Sequence, residues 1–200
     1  MSEKYANPAP LGLLGFGMTT VLLNFVHNFR LTPVDGMIIG MGLFYGGLAQ
    51  VIAGIMEYKR GNTFGTVAFT SYGLFWWSFA FINTQSVIVY GYSSTTYAYE
   101  SLMAYFFMWG LFTLCMFFGT LKKNRAIQFV FGSLFVLFFL LAAKFAILEY
   151  TSITDLNLFT QIIGIEGIIC GLSAVYLAIA EVLNEAEGRT VLPICPVAAQ

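Results

Sequence analysis

Charged residues divide this chain into long apolar stretches, and the lengths of those stretches predict its elements. Positions 10–26, 36–56, 64–83 and 101–121 hold no charge, while 126–148 holds Lys144 and 158–183 holds Glu166 and Glu181. A helix needs about 20 residues to cross a bilayer, so each stretch is predicted to form one membrane-spanning helix. The uncharged run from 61 to 99 is too long for one such helix and too short for two with a turn. Its second part, 84–99, is rich in Ser, Thr and Tyr and is expected to be an interfacial loop with an aromatic belt. The fold class is therefore all-α integral membrane, with six transmembrane helices and residues 1–200 forming a single transmembrane domain.

The same pattern marks the helix starts and the packed faces. Asn7-Pro8 precedes the first span, where Asn suits a cap and Pro the first turn, and Asp35 opens the second. A helix start of this kind, placed at a membrane surface, offers a weak site for a small carboxylate. Gly36-Gly40, Gly42-Gly46 and Ala49-Ala53 on the second span, and Gly167-Gly171 and Ala174-Ala178 on the sixth, recur at four-residue spacing. Such repeats let helix backbones approach closely in lipid. Three further stripes carry larger groups: Phe16, Thr20 and Asn24; Phe69, Tyr72, Trp76 and Phe79; and Gln128, Phe131, Leu134 and Phe138. They fit either helix–helix packing or the lining of a path for a small, partly apolar solute.

Composition agrees with a membrane and narrows the chemistry. The chain is 58% hydrophobic and 10% charged, against about 45–50% and about 25% in a soluble domain. A net charge of -1 gives no basic face for nucleic acid. The start lacks the basic leader and small-residue cleavage site of a secretory signal, since only Lys4 precedes the run, and it reads as a retained first span. Of nine Lys and Arg residues, Lys4, Lys59, Arg60, Lys122, Lys123, Arg125 and Arg189 fall on one side and Arg30 and Lys144 on the other. The positive-inside rule then places both termini in the cytoplasm.

Cys115, Cys170 and Cys195 have neither disulfide nor zinc spacing, and two of them lie in apolar runs, as buried free thiols would. His27, beside Asn24 and Asn28, has no second histidine to complete a metal site or relay, so no metal, cofactor or enzyme activity is expected. Glu57, Glu181 and Lys144 are read as span-end groups reaching the headgroups. Glu166, inside the sixth span, fits three readings: a protonatable group near the path, a neutral acid hydrogen-bonded to a neighbouring helix, or an interfacial group.

The motifs Asn7-Pro8-Ala9-Pro10-Leu11-Gly12-Leu13, Phe16-Gly17-Met18-Thr19-Thr20, Phe44-Tyr45-Gly46-Gly47, Glu57-Tyr58-Lys59-Arg60-Gly61-Asn62-Thr63-Phe64-Gly65, Phe69-Thr70-Ser71-Tyr72-Gly73 and Gly188-Arg189-Thr190-Val191-Leu192-Pro193 extend almost from end to end of the chain. In these the chain resembles the acetate uptake transporter family. The resemblance implies a six-helix protomer in a homohexamer of the cell inner membrane, each protomer passing acetate and, less well, succinate. It implies a hydrophobic constriction at Phe16, Tyr72 and Leu134, and a small residue tied to substrate choice at Ala174. The path would then pass Asn7, Pro8, Pro10, Leu11 and Gly12 at the cytoplasmic mouth and Thr19, Thr20 and Asn24 beyond, with Glu166 as a proton-linked group outside the family pattern. Channel and proton-coupled permease are both open, and a small-neutral-solute channel, for urea or ammonia, is the alternative.

Overall fold

A computed structural model describes residues 5–88 and 99–197. Six long helices run through them: α1 (Ala9–Phe29), α2 (Gly36–Lys59), α3 (Thr63–Ile88), α4 (Tyr99–Phe118), α5 (Arg125–Tyr150) and α6 (Asn157–Glu187). Among the described residues, five of these are long and apolar enough to cross a membrane. The exception, α3, has the same 26 residues as α5 and no charge, but its Thr, Ser, Tyr and Trp content lowers its hydropathy.

The helix ends show which local signals act. Pro8 is the cap of α1, and of the helix's backbone donors the Asn7 side chain takes the Ala9 N–H at 3.2 Å, which leaves it able to reach partners on other helices. Asp35 caps α2 by accepting from the backbone of Met37 and Ile38. Asn124 caps α5 through Ile127 at 2.8 Å. α3 continues through Ile88, beyond the expected end at 83, and the remainder of the expected loop, 89–98, lies outside the described residues. α4 ends at Phe118, ahead of 121, because the backbone from Gly119 to Lys123 turns on hydrogen bonds to Met116, Phe117 and Thr120. π-helical turns occupy Asn24–Phe29 of α1 and Met41–Ala49 of α2; such turns widen the helix and re-aim its side chains.

Side-chain size sets the spacing between helices. α1 and α6 touch through glycines: a Cβ at Gly17 would lie 2.7 Å from the Gly171 carbonyl oxygen, and one at Gly171 would lie 2.7 Å from that of Gly17. Ala174 and Ala178 are fully buried on the same helix. On α2 the close contacts are at Gly46, Gly47 and Gly54, against Trp76, Trp77 and Thr70 of α3; Gly36 and Gly40 face open space. Rings fill the gap between α3 and α4 instead, with Tyr72–Phe112 and Phe75–Trp109 centroids 5.5 and 5.2 Å apart. Small residues close one side of the bundle and rings hold the other side apart. The space left between α1, α3 and α5 is the candidate path.

After α6, Gly188 takes the left-handed conformation, φ 62, that a glycine tolerates without strain, and the chain turns back. Asn184 holds the backbone of Val191 and Leu192, and the Tyr176 hydroxyl donates to the Pro193 carbonyl. The segment then pairs with the α4–α5 turn through Arg125 N–H to Cys195 and Val197 N–H to Lys123. Lys123 and Asn124 are thereby fixed at one end of that space. Of the three free thiols only Cys170 is buried; Cys115 is exposed on α4, because an apolar helix face need not be enclosed, and Cys195 is exposed on the segment after α6.

Candidate functional site: two cavities and the constriction between them

Two cavities lie along the axis between α1, α3 and α5, and Phe16 and Leu134 line both of them. The first, about 280 Å³, has Asn7, Gln50, Glu57, Arg60, Lys123 and Glu181 among its polar lining. The second, about 330 Å³, has Thr20, Asn24, His27, Asn28, Asn83 and Lys144 set among the rings of Phe75, Trp76, Phe79, Phe106 and Phe138. The three stripes read from the sequence account for this layout. Phe69, Tyr72 and Phe131 face the first cavity, and Thr20, Asn24, Trp76, Phe79 and Phe138 face the second. Gln128 is turned away, donating to the Thr120 and Leu121 carbonyls.

The constriction is held from behind. Tyr72 is buried on the first-cavity side of Phe16, with ring centroids 6.2 Å apart, and rests on Trp109, Phe112 and Phe131. Its hydroxyl donates to Thr113 Oγ1 at 3.0 Å, and Thr113 donates onward to the Trp109 carbonyl. The ring is thus locked by α4, a helix that contributes neither Phe16 nor Leu134. The sequence offered Trp109 and Phe112 only as part of a segment resembling residues 72–76, and nothing in it tied these α4 residues to the path, because aromatic residues are frequent throughout.

The first cavity is a compensated charge network. Glu57 is fully buried, accepts from Asn62 Nδ2 at 2.8 Å, and lies 3.8 Å from Arg60. It is not the headgroup-reaching group its position near the end of α2 suggests, because the tight turn at 60–62 brings the first turn of α3 over it. A Cβ on Gly65 would come within 2.9 Å of the Glu57 carboxyl carbon, so glycine is needed there. Arg60 also donates to Asn7 Oδ1 at 2.7 Å, and Asn7 Nδ2 donates to Glu181 at 2.9 Å. Asn7 therefore links a cation on α2 to a carboxylate on α6. Lys123 lies 4.5 Å above the Phe64 ring. Gln50 is 1% exposed, and its Oε1 has no hydrogen-bond partner in the protein.

The second cavity has a ladder along α1. Thr20 Oγ1 donates to the Phe16 carbonyl, Asn24 Nδ2 to the Thr20 carbonyl, and Asn28 Nδ2 to Asn24 Oδ1 at 2.8 Å. Asn28 is 3% exposed and its Oδ1 is left without a partner. Lys144, a predicted span-end group, is six residues before the end of α5 and lines this cavity.

The remaining sequence-predicted residues lie off the axis. Pro8, Pro10, Gly12, Thr19 and Ala174 are buried and line neither cavity; Leu11 is exposed and lines neither. Gly12 bears on the path indirectly, since a Cβ there would strike the Phe69 ring at 2.4 Å. Glu166, half-buried in α6, accepts a 2.5 Å hydrogen bond from Ser133 of α5 and lines neither cavity.

Two cavities that set polar groups among mainly apolar walls and meet at Phe16 and Leu134, inside a bundle of apolar helices, define a multi-pass membrane protein built around an axial route for a small solute. The chain belongs to the GPR1/FUN34/yaaH family, whose sequence profile matches residues 1–199. It is 53% identical over 193 residues to the succinate-acetate/proton symporter SatP of Escherichia coli K12, covering 96% of this chain and 97% of that one. A solved structure of the bacterial acetate channel SatP matches with a TM-score of 0.85 and 52% identity, over 96% of this chain and 99% of that one. Ammonia transport outward protein 2 of Saccharomyces cerevisiae is 37% identical, covering 89% of this chain and 62% of its own length.

Proposed function

We propose that this protein moves acetate, and less readily succinate, across the cell inner membrane, and that it is not an enzyme. The observation that carries the reading is the pair of polar cavities joined at Phe16 and Leu134. Acetate has a carboxylate and a methyl group. The carboxylate suits the cations and amides at the two ends, and the methyl suits the ring constriction. The six helices each cross the membrane, with both termini and the Arg60 cavity on the cytoplasmic side, as the distribution of Lys and Arg favours. The family resemblance supports assembly as a homohexamer with one path per protomer.

A bare anion is poorly accommodated at the constriction. The cation Lys144 stands ten residues from Leu134 along α5, about 15 Å at 1.5 Å per residue. A charge without a partner in an apolar site costs several kcal/mol, which protonation removes. Transport therefore takes the acid form, or the anion together with a proton, and it speeds up as the pH on the entry side falls. Proteoliposomes holding a pH-sensitive dye test this: an acetate gradient should acidify the lumen faster with the protein than without it. Acetate uptake with no proton movement under a clamped voltage would rule the coupling out. The yeast relative named for ammonia transport favours a second reading, a neutral-solute channel. Failure of acetate to compete with ammonia or urea flux in the same vesicles would select it.

A further inference from the structure

Among the described residues the ion pairs are Glu57–Arg60 and Glu187–Arg189, which leaves Lys144 without a carboxylate. Its ammonium lies 5.7 Å from the Phe145 ring and faces the second cavity, a space of about 330 Å³ with mainly apolar walls. His27, the single histidine of the chain, faces the same cavity from the π turn of α1. Its Nδ1 lies 2.7 Å from the Thr32 carbonyl oxygen. A carbonyl only accepts, so Nδ1 carries the hydrogen, leaving Nε2 to accept when the ring is neutral and to donate when it is charged. Asn28 adds a buried acceptor with no partner in the protein.

We propose that Lys144 and His27 form a carboxylate-binding site in this cavity, at which the bound carboxylate and a proton on His27 Nε2 stabilise each other. Lys144 and His27 line the same cavity, so with both charged and no anion between them like charges face each other. A carboxylate between them reverses the sign of the interaction: it is attracted by Lys144, and its charge favours the protonated imidazole. By linkage, each ligand then tightens the other. Asn28 Oδ1 accepts from a protonated carboxyl when the ligand enters as the acid.

The charged and titratable groups facing His27 are few. Among the described residues α5 presents Lys144, α4 presents Tyr99 and α3 presents the Asn83 amide. On its other side the π turn packs on the start of α6, which has no charged side chain before Glu166, itself engaged by Ser133. Arg30, Glu149 and Asp155 are exposed and line neither cavity. The site rests on the acetate-transport reading, and it sharpens that reading by placing carboxylate and proton together at one end of the path.

The single histidine allows a direct test. Imidazole resonances of the purified chain in lipid nanodiscs would be followed against pH in sodium acetate and in sodium chloride at equal ionic strength. Acetate should raise the His27 titration midpoint by roughly half a pH unit or more over chloride, and Lys144→Gln should abolish that increment while Lys144→Arg preserves it. An acetate increment that is absent in the wild type, or the same size in Lys144→Gln, overturns the proposal. Thermal melts of the variants verify that they are folded, and His27→Gln, read as loss of the pH dependence of acetate binding by calorimetry, gives a second readout. Acetate flux in the same preparation reports separately: flux without the midpoint shift removes this site and leaves the transport reading standing.

Discussion

The Arg60 cavity holds both signs of charge, Glu57 and Glu181 beside Arg60 and Lys123, whereas the described lining of the Lys144 cavity is basic only. In the first, Arg60 faces Glu57, Asn7 joins Arg60 to Glu181, and Lys123 covers the Phe64 ring. In the second, the basic groups among the described residues are Lys144 and His27, and none of the described lining side chains is acidic. Polar content alone therefore does not determine what a cavity binds. A network of mixed sign ties helices to one another, while a lining of one sign favours a ligand of opposite charge. The apolar ring of Phe16 and Leu134 separates the two regimes.

The largest effect is expected where the cavities meet. Phe16→Ala or Leu134→Ala merges them, costs about 2–5 kcal/mol in a thermal or denaturant melt, and admits butyrate and succinate in a flux assay. An unchanged substrate range in both variants would remove these residues from the constriction. Next comes the contrast between the two cations. Arg60→Gln strands a fully buried Glu57 and should destabilise by about 3 kcal/mol, while Lys144→Gln breaks no ion pair and should leave the melt within about 0.5 kcal/mol of the wild type. Equal losses would erase the distinction between the cavities.

Smaller effects sharpen the picture. Tyr72→Phe loses one hydrogen bond to Thr113, worth about 1 kcal/mol, and should slow flux a few-fold through a looser ring with no change in size selection. Identical flux would show that the Thr113 lock does not matter. Lys123→Gln removes one contact with the Phe64 ring and should cost about 0.5–1 kcal/mol in the melt. A larger loss would mean that Lys123 belongs to the charge network.

The pattern of charges located the helices because desolvating a charge in hydrocarbon is costly enough to dominate every other local preference. Phe16, Tyr72 and Leu134 were singled out through family resemblance, and their stripes through helical spacing that fits packing equally well; in the structure Phe16 and Leu134 line both cavities and Tyr72 the first. The partners of the constriction were not legible. Thr113 and Phe112 reach Tyr72 only because large rings set α3 and α4 apart, a property of tertiary packing. Glu57 was misplaced because its distance along the helix put it near the headgroups, and only the return of α3 at Gly65 shows that it is covered. The N-terminal motif was placed at the path as a unit, yet of Asn7, Pro8, Pro10, Leu11 and Gly12 only Asn7 faces a cavity. The prolines start α1 and Gly12 makes room for Phe69, roles that spacing cannot separate from lining.

The most direct test of the joined cavities is the ratio of butyrate to acetate flux in proteoliposomes containing the wild type, Leu134→Ala or Leu134→Trp. A single route through this point predicts that the ratio rises by about tenfold in Leu134→Ala, equivalent to about 1.4 kcal/mol of barrier, and that acetate flux collapses in a folded Leu134→Trp. If both variants carry acetate and butyrate in the wild-type ratio, the solute does not pass between Phe16 and Leu134.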